Sequence, residues 1–281
     1  MQTVAEFVNG IEEISSLPTT FIKVSELLED PECRGSDLAK AIEMDQALTM
    51  KLMKLANSAF YGFRGKVGNV NRAISIIGFK MLKGIVLTIS VKSVFNGFGK
   101  DSPVNMKSFW QHSIGCGITS RVLAGYKGEK NPETYFMAGF LHDIGRLLLL
   151  EYLPDEYRQI HEIAQNDERL LRDVEAEVLG FSHADAGGEL IRTWDLPDFL
   201  VTAVTHHHDP SQCDDFLGLT SVVHISDVMT HVFEMGASGN PFVPPLNRGA
   251  WMLSGLDEGI LKPAREKISA QYEDACAYLV E

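Results

Sequence analysis

The sequence is short of paired cysteines, long apolar runs and strand patterns. Its four cysteines, Cys33, Cys116, Cys213 and Cys276, are scattered and form no Cys-x-x-Cys pair. That leaves no zinc–cysteine site and favours reduced thiols, at least some of them small buried apolar residues. The opening MQTVAEFVNGIEEI has no basic stretch ahead of an apolar core, so no secretory signal is expected. IVLTISV at 85–91 is among the longest apolar runs and falls far short of a bilayer span. A cytoplasmic protein with no membrane partner is the expectation. Alternating apolar and polar runs bounded by hairpin turns are missing too, so no sheet is expected. No fixed-period repeat or low-complexity tract interrupts the chain.

Acid is absent from one long stretch. Residues 46–100 contain no Asp or Glu but nine cations: Lys51, Lys54, Arg64, Lys66, Arg72, Lys80, Lys83, Lys92 and Lys100. The whole chain carries −13, so the segment's +9 leaves −22 on the remainder. The net charge argues against indiscriminate binding to nucleic acid or anionic lipid. The asymmetry suggests a surface for an acidic partner or nucleotide, and equally suits pairing with the acidic remainder.

What is present is helical. LPTTFIKVSELLED places Phe21, Val24, Leu27 and Leu28 at the spacing of an amphipathic helix. Ser36, Asp45 and Asn71 are the expected N-caps of DLAKAIEM, QALTMKLMKLAN and RAISIIG. FKMLKGIVLTISVKSVF follows as a longer helix, and NGFGKDSPVN at 96–105 is the expected subdomain break. Beyond it, helices are expected near 106–126, 132–150, 155–165, 168–179, 183–194, 197–208 and 217–234. A Pro/Gly loop at 236–249 then precedes a final helix with Pro263 near its start. The fold class is all-α: a multi-helix bundle in three parts, 1–100, 101–235 and 236–281.

The first 111 residues contain no histidine, although the chain has nine. His112, His142, His183 and the run His206, His207 and His208 fall on or beside separate expected helices, with Asp143 next to His142. Asp227 lies in the otherwise apolar VVHISDVM, where a lone carboxylate is costly unless paired or bound to a cation. Imidazoles and carboxylates delivered from separate helices are the usual construction of metal sites in all-helical proteins. Their mixed N/O character suits Fe, Mn, Zn or Co better than Ca or Mg. Taken singly, each histidine is more often a surface or satisfied core residue, and His161, His224 and His231 are read that way.

The order His112-Ser113, His142-Asp143, Asp227 resembles the H…HD…D pattern of the HD superfamily of metal-dependent phosphohydrolases. More specifically the chain resembles the HDOD branch, the HD-related output domain of bacterial signalling proteins, over roughly 14–230. The motifs carrying this are Leu17-Pro18, LMKLANSAFYG, NRAISIIGFKML, FWQHS, MAGFLHDIGRLLL, Glu175 and Glu177 before LGFSHADAGGELIRTWDLP, and AVTHHHDP. The resemblance implies an HD-type bundle with an N-terminal helical subdomain, and a regulatory output protein working through a signalling partner, with the basic 46–100 segment as a contact surface. It also implies one or two divalent transition ions on His112, His142, Asp143, His183, His207, His208 and Asp227. Asp143 would bridge two ions, with His112, His142 and Asp227 on one and His183, His207 and His208 on the other.

If such a site turns over, the reading is a phosphohydrolase acting on a small phosphoester or nucleotide. Asp143 and Arg146 would then be the catalytic residues, Arg146 taking a phosphoryl oxygen or, equally, pairing with an acidic neighbour. HHHDPSQCDDF lacks the Gly-Tyr-Pro that follows the paired histidines in the HD-GYP branch, which disfavours cyclic dinucleotide hydrolysis. Ser108, one turn before His112, offers no carboxylate for a third ion. Phe60, Tyr61 and Phe63 beside Arg64 and Lys66 form a stacking pattern, but packing between subdomains is their simpler role, and nucleic acid is not the expected partner.

Overall fold

The computed structural model describes residues 2–14, 16–57, 66–98, 103–240 and 242–279. Phe60, Tyr61, Phe63, Arg64 and Lys100 lie outside them. In chain order the first helices are α1 (Val4–Asn9), α2 (Thr19–Glu29), α3 (Gly35–Glu43), α4 (Gln46–Ala56), α5 (Val70–Ile77) and α6 (Phe79–Val94). Then come α7 (Met106–Lys127), α8 (Pro132–Leu141), α9 (Ile144–Tyr152), α10 (Pro154–Asn166) and α11 (Leu171–Leu179). The last are α12 (His183–Thr193), α13 (Asp198–His206), α14 (Leu217–Val232), α15 (Arg248–Ser254) and α16 (Leu261–Leu279). No strand occurs among the described residues, and the protein is all-α. Among the described residues no single helix is long and apolar enough to cross a membrane.

Two units divide the chain: Met1–Ser16 with Gly97–Ile268, and Leu17–Asn96 with Ser269–Glu281. The N-terminal residues join the larger unit by packing. α1 lies on α12, the Phe7 and Phe181 rings are 5.5 Å apart, and Trp194 Nε1 donates to the Ile14 carbonyl at 2.7 Å.

The smaller unit holds α2 to α6 around Leu38, Ile42, Leu48, Leu52, Ile74 and Leu82, each buried. Asp45 caps α4 as expected, accepting from Leu48 N at 2.9 Å. The cap of α5 is Asn69 rather than Asn71, accepting from Arg72 N at 2.8 Å. α3 starts at Gly35 without a side-chain cap, so Ser36 lies inside its first turn. Gly78, at φ +82°, turns α5 into α6 through a 112° bend.

In the larger unit α7 pairs with α8, and α14 lies against both. α12 packs on α9 and α13, while α10 and α11 close around Ile160, Ala164, Leu171 and Val174. The helix expected over 132–150 is two helices, α8 and α9, with His142 and Asp143 at the break. Apolar periodicity runs through both halves and does not register it. One close approach sets the interior: a Cβ on Gly145 of α9 would lie 2.0 Å from the His183 carbonyl and 2.4 Å from Gly187 N. Only glycine lets α9 reach α12 here, which brings Asp143, just before α9, beside His183, the first residue of α12.

Candidate metal centre

Two dipeptides reach the centre by the same local device. α8 ends at Leu141 and His142-Asp143 follows; α13 ends at His206 and His207-His208 follows. The last carbonyls of a helix have no partner within it. His142 Nδ1 takes the Gly139 carbonyl at 2.8 Å, and His207 Nδ1 takes that of Val204 at 2.7 Å. A carbonyl only accepts, so in both rings Nδ1 carries a proton, and when the ring is neutral Nε2 is left as the lone pair. His183 reaches the same state from a helix start. Ser182 caps α12, and the His183 backbone N and Nδ1 both donate to Glu175 Oε2, at 2.8 and 2.5 Å. His112 and Asp227 come from the interiors of α7 and α14.

The free imidazole nitrogens converge on carboxylates. Asp143 Oδ1 lies 3.1 Å from His183 Nε2 and 3.7 Å from His207 Nε2, and His208 Nε2 is 2.9 Å from His183 Nε2. Asp143 Oδ2 faces the other way, 3.3 Å from His142 Nε2 and 4.0 Å from His112 Nε2. Asp227 Oδ1 stands 3.1 Å from His112 Nε2 and 3.4 Å from His142 Nε2. Donor atoms of Asp143, His183, His207 and His208 lie within 4.8 Å of one another, as do those of His112, His142 and Asp143. Six of the seven residues expected from sequence are buried; His208 is half-buried.

Around these donors lies a layer that sequence spacing did not assign. Arg146 Nε is 2.9 Å from Asp143 Oδ1 and its Nη1 is 3.7 Å from Glu175 Oε1. The guanidinium is buried at 1% exposure. Arg146 thus stands between two carboxylates. Burial would raise the Asp143 carboxyl, but the Arg146 charge and then His142 hold it well below the usual carboxylate range. Asp227 is likewise held low against burial by hydrogen bonds from His112, His142 and His231. Burial, followed by neighbouring histidines, keeps His207 and His208 well below the usual histidine range, and so neutral.

The residues fit a cation. The Nε2 atoms of His142, His183 and His207 all face oxygens of Asp143, and in the neutral form of each ring they are the lone pairs a cation would take. His142 Nε2 and His207 Nε2 have no hydrogen-bond partner although both are buried. Asp143, Asp227 and Glu175 bring three carboxylates against the one permanent charge of Arg146, which a low-dielectric interior tolerates only with protons on the facing imidazoles or with a bound cation in their place. The outer hydrogen bonds that fix each Nδ1 are those that tune metal-binding imidazoles.

His224 stays apart: its Nδ1 donates to the His207 carbonyl and its Nε2 accepts from Asn247 N. His161 and His206 belong to none of the donor groups found among the described residues. His231, read from sequence as an ordinary residue, instead joins His112 and Asp227 in a third donor group. Its position four residues after Asp227 on one helix was the available signal. Glu175, noted only as part of a motif, meets His183 across the α11–α12 turn, a pairing no helical spacing announces.

A model of the HDOD domain matches residues 14–210. A Treponema pallidum (strain Nichols) protein named "Uncharacterized protein" is 22% identical over 227 residues, 80% of this chain and 43% of that protein. The chain thus spans less than half that relative's length. Among solved structures, an HDOD domain protein with unknown function from Geobacter sulfurreducens is 23% identical, with a TM-score of 0.85 over 99% of this chain and 97% of the other. A Shewanella amazonensis SB2B protein named "Putative phosphohydrolase" is 21% identical, with a TM-score of 0.79 over 98% and 97%. At these identities the likeness is one of fold.

Proposed function

We propose, from the premise that the chain belongs to the HDOD domain family, that it is a regulatory module holding one or two transition ions in its His/Asp centre. The observation that carries the reading is the set of Nε2 atoms on His142, His183 and His207 turned towards the two oxygens of Asp143, each ring tied at Nδ1 to an outer acceptor. His112, His142, Asp143 and Asp227 would hold an ion at one end, and Asp143, His183, His207 and His208 one at the other. Fe, Mn, Zn and Co match these donors. The acidic neighbours of Arg146 argue for regulation over turnover, because its charge is committed to Asp143 and Glu175. The basic 46–100 segment supplies the contact for an acidic face of a signalling partner.

Elemental analysis of protein purified without a chelating tag, before and after reconstitution, tests the metal reading. About one or two equivalents are expected, falling in His142→Ala and Asp143→Ala; no ion even after reconstitution refutes it. Pull-downs with Lys51, Lys54, Lys80 and Lys83 reversed in charge test the contact, and a partner set indifferent to those charges refutes it.

One observation favours a second reading, a phosphohydrolase of small phosphoesters or nucleotides: Asp143 presents a different oxygen to each donor group. A bound metal pair supplies an activated water and charge neutralisation at phosphorus. The chain's own part would be to space the ions through Asp143 and to hold Asp143 with Arg146. Hydrolysis of phosphodiesters, nucleotides or phosphomonoesters that disappears in both His142→Ala and Asp143→Ala would move the assignment here. Activity unchanged in both variants removes it.

A further inference from the structure

His231 lies one turn beyond Asp227 on α14. Its Nδ1 is 3.0 Å from the Asp227 carbonyl oxygen and 3.1 Å from Asp227 Oδ1. The peptide carbonyl can only accept, so Nδ1 bears the proton and shares it between the two oxygens. It is therefore a hydrogen-bond donor and not an ion ligand through that atom. The side chain is 9% exposed, and its ring stands edge-on to that of His112 with centroids 4.5 Å apart. The oxygen it grips is the one that faces His112 Nε2 and His142 Nε2.

A carboxylate turns easily about its last torsion. A donor fixed on the same helix removes that freedom. The opposite end of the centre uses the converse device, where the Glu175 carboxylate fixes the His183 imidazole.

We propose that His231 is a positioning residue of this centre: its Nδ1–H holds Asp227 Oδ1 towards His112 and His142, so that the Asp227 end is a preset ion position. The proposal rests on the metal-holding reading above and adds an eighth residue to the sequence-derived set, one acting through Asp227.

Cobalt(II) titration tests it, followed by visible absorption and with bound cobalt counted by elemental analysis. The proteins are wild type, His231→Ala and His231→Asn, whose amide nitrogen replaces the Nδ1 donor. The expected result is a loss of about 10–100-fold in affinity at one position in His231→Ala, the scale of removing an outer hydrogen-bond partner. The His231→Asn variant recovers most of it, with the cobalt spectrum of the remaining position unchanged. Wild-type affinity and spectrum in His231→Ala overturn the proposal, as does a His231→Asn no better than His231→Ala. If the Ala variant does not fold, His231→Asn decides: near-wild-type affinity supports the role and a comparable loss overturns it. Wild-type protein that takes up no cobalt overturns the metal reading and this proposal together, whereas wild-type uptake beside an unaffected His231→Ala overturns this proposal alone.

Discussion

Gly145→Ala asks whether the approach of α9 to α12 builds the centre. The added methyl carbon would sit 2.0 Å from the His183 carbonyl oxygen, where ordinary contact begins at 3.4 Å. The backbones must separate by about 1.4 Å along that line, and both obstacles are main-chain atoms that no rotamer change removes. Overpacking of this kind costs about 1–3 kcal/mol. In chelator-treated protein that is a fall in Tm of about 2–4 °C for each kcal/mol. The effect on metal is larger, because the same displacement opens the 3.1 Å approach of His183 Nε2 to Asp143 Oδ1, while ligand distances tolerate only about 0.2 Å. Cobalt uptake at the His183 end is therefore lost in Gly145→Ala even where the variant remains folded. Gly187→Ala is the control: its methyl meets the movable Val204 Cγ1 at 2.8 Å, and the Gly145 backbone no closer than 3.2 Å. Circular dichroism melts and cobalt titrations of all three proteins decide. A Gly145→Ala variant with wild-type apo-protein Tm and full cobalt uptake refutes the reasoning.

Arg146→Met leaves Asp143 and Glu175 without their buried cation, so denaturant unfolding of apo-protein should lose about 3–5 kcal/mol. Cobalt should return part of the loss by replacing the charge, and equal stability in the two apo-proteins counts against the ion pair. Asn69→Ala should cost about 1 kcal/mol through the lost cap of α5, with Asn71→Ala within about 0.5 kcal/mol of wild type. Thermal melts showing the reverse order would restore Asn71 as the cap. Burial, then the Lys51 charge, lowers the Lys92 ammonium from 10.5 to about 8. Across that interval the unfolded chain holds more protons than the folded one, so stability rises with pH. The penalty is full below the folded value and is lifted as pH climbs through the interval. Lys92→Met should flatten the rise between neutral pH and about pH 9.5 in urea titrations. An equal rise in both proteins excludes Lys92 as its source.

The helical class was legible because Phe21 and Val24 recur at helical spacing, and because no strand pattern competes. The donor types were legible as chemistry: Asp227 in an apolar stripe and His142 beside Asp143 are costly residues with few uses. Periodicity could not show that His142 and Asp143 end a helix. The break depends on Gly139 and the ring nitrogen of His142, not on the apolar pattern. Nor could it show Glu175 beneath His183 or the acidic neighbours of Arg146, since those contacts join α9, α11 and α12 in space. Asn69 and Asn71 are equally good caps in composition, and only the chain path chooses between them. His231 was legible by its i+4 spacing from Asp227 but was read by frequency instead of by neighbour.

Of the seven donors predicted from sequence, His208 alone keeps a solvent-facing side; its carbonyl is tied to Arg172 Nη1 at 3.2 Å. On the metal-holding reading, His208 is the ligand at which a bound ion would stand nearest to bulk water, and the other six would shield it from solvent.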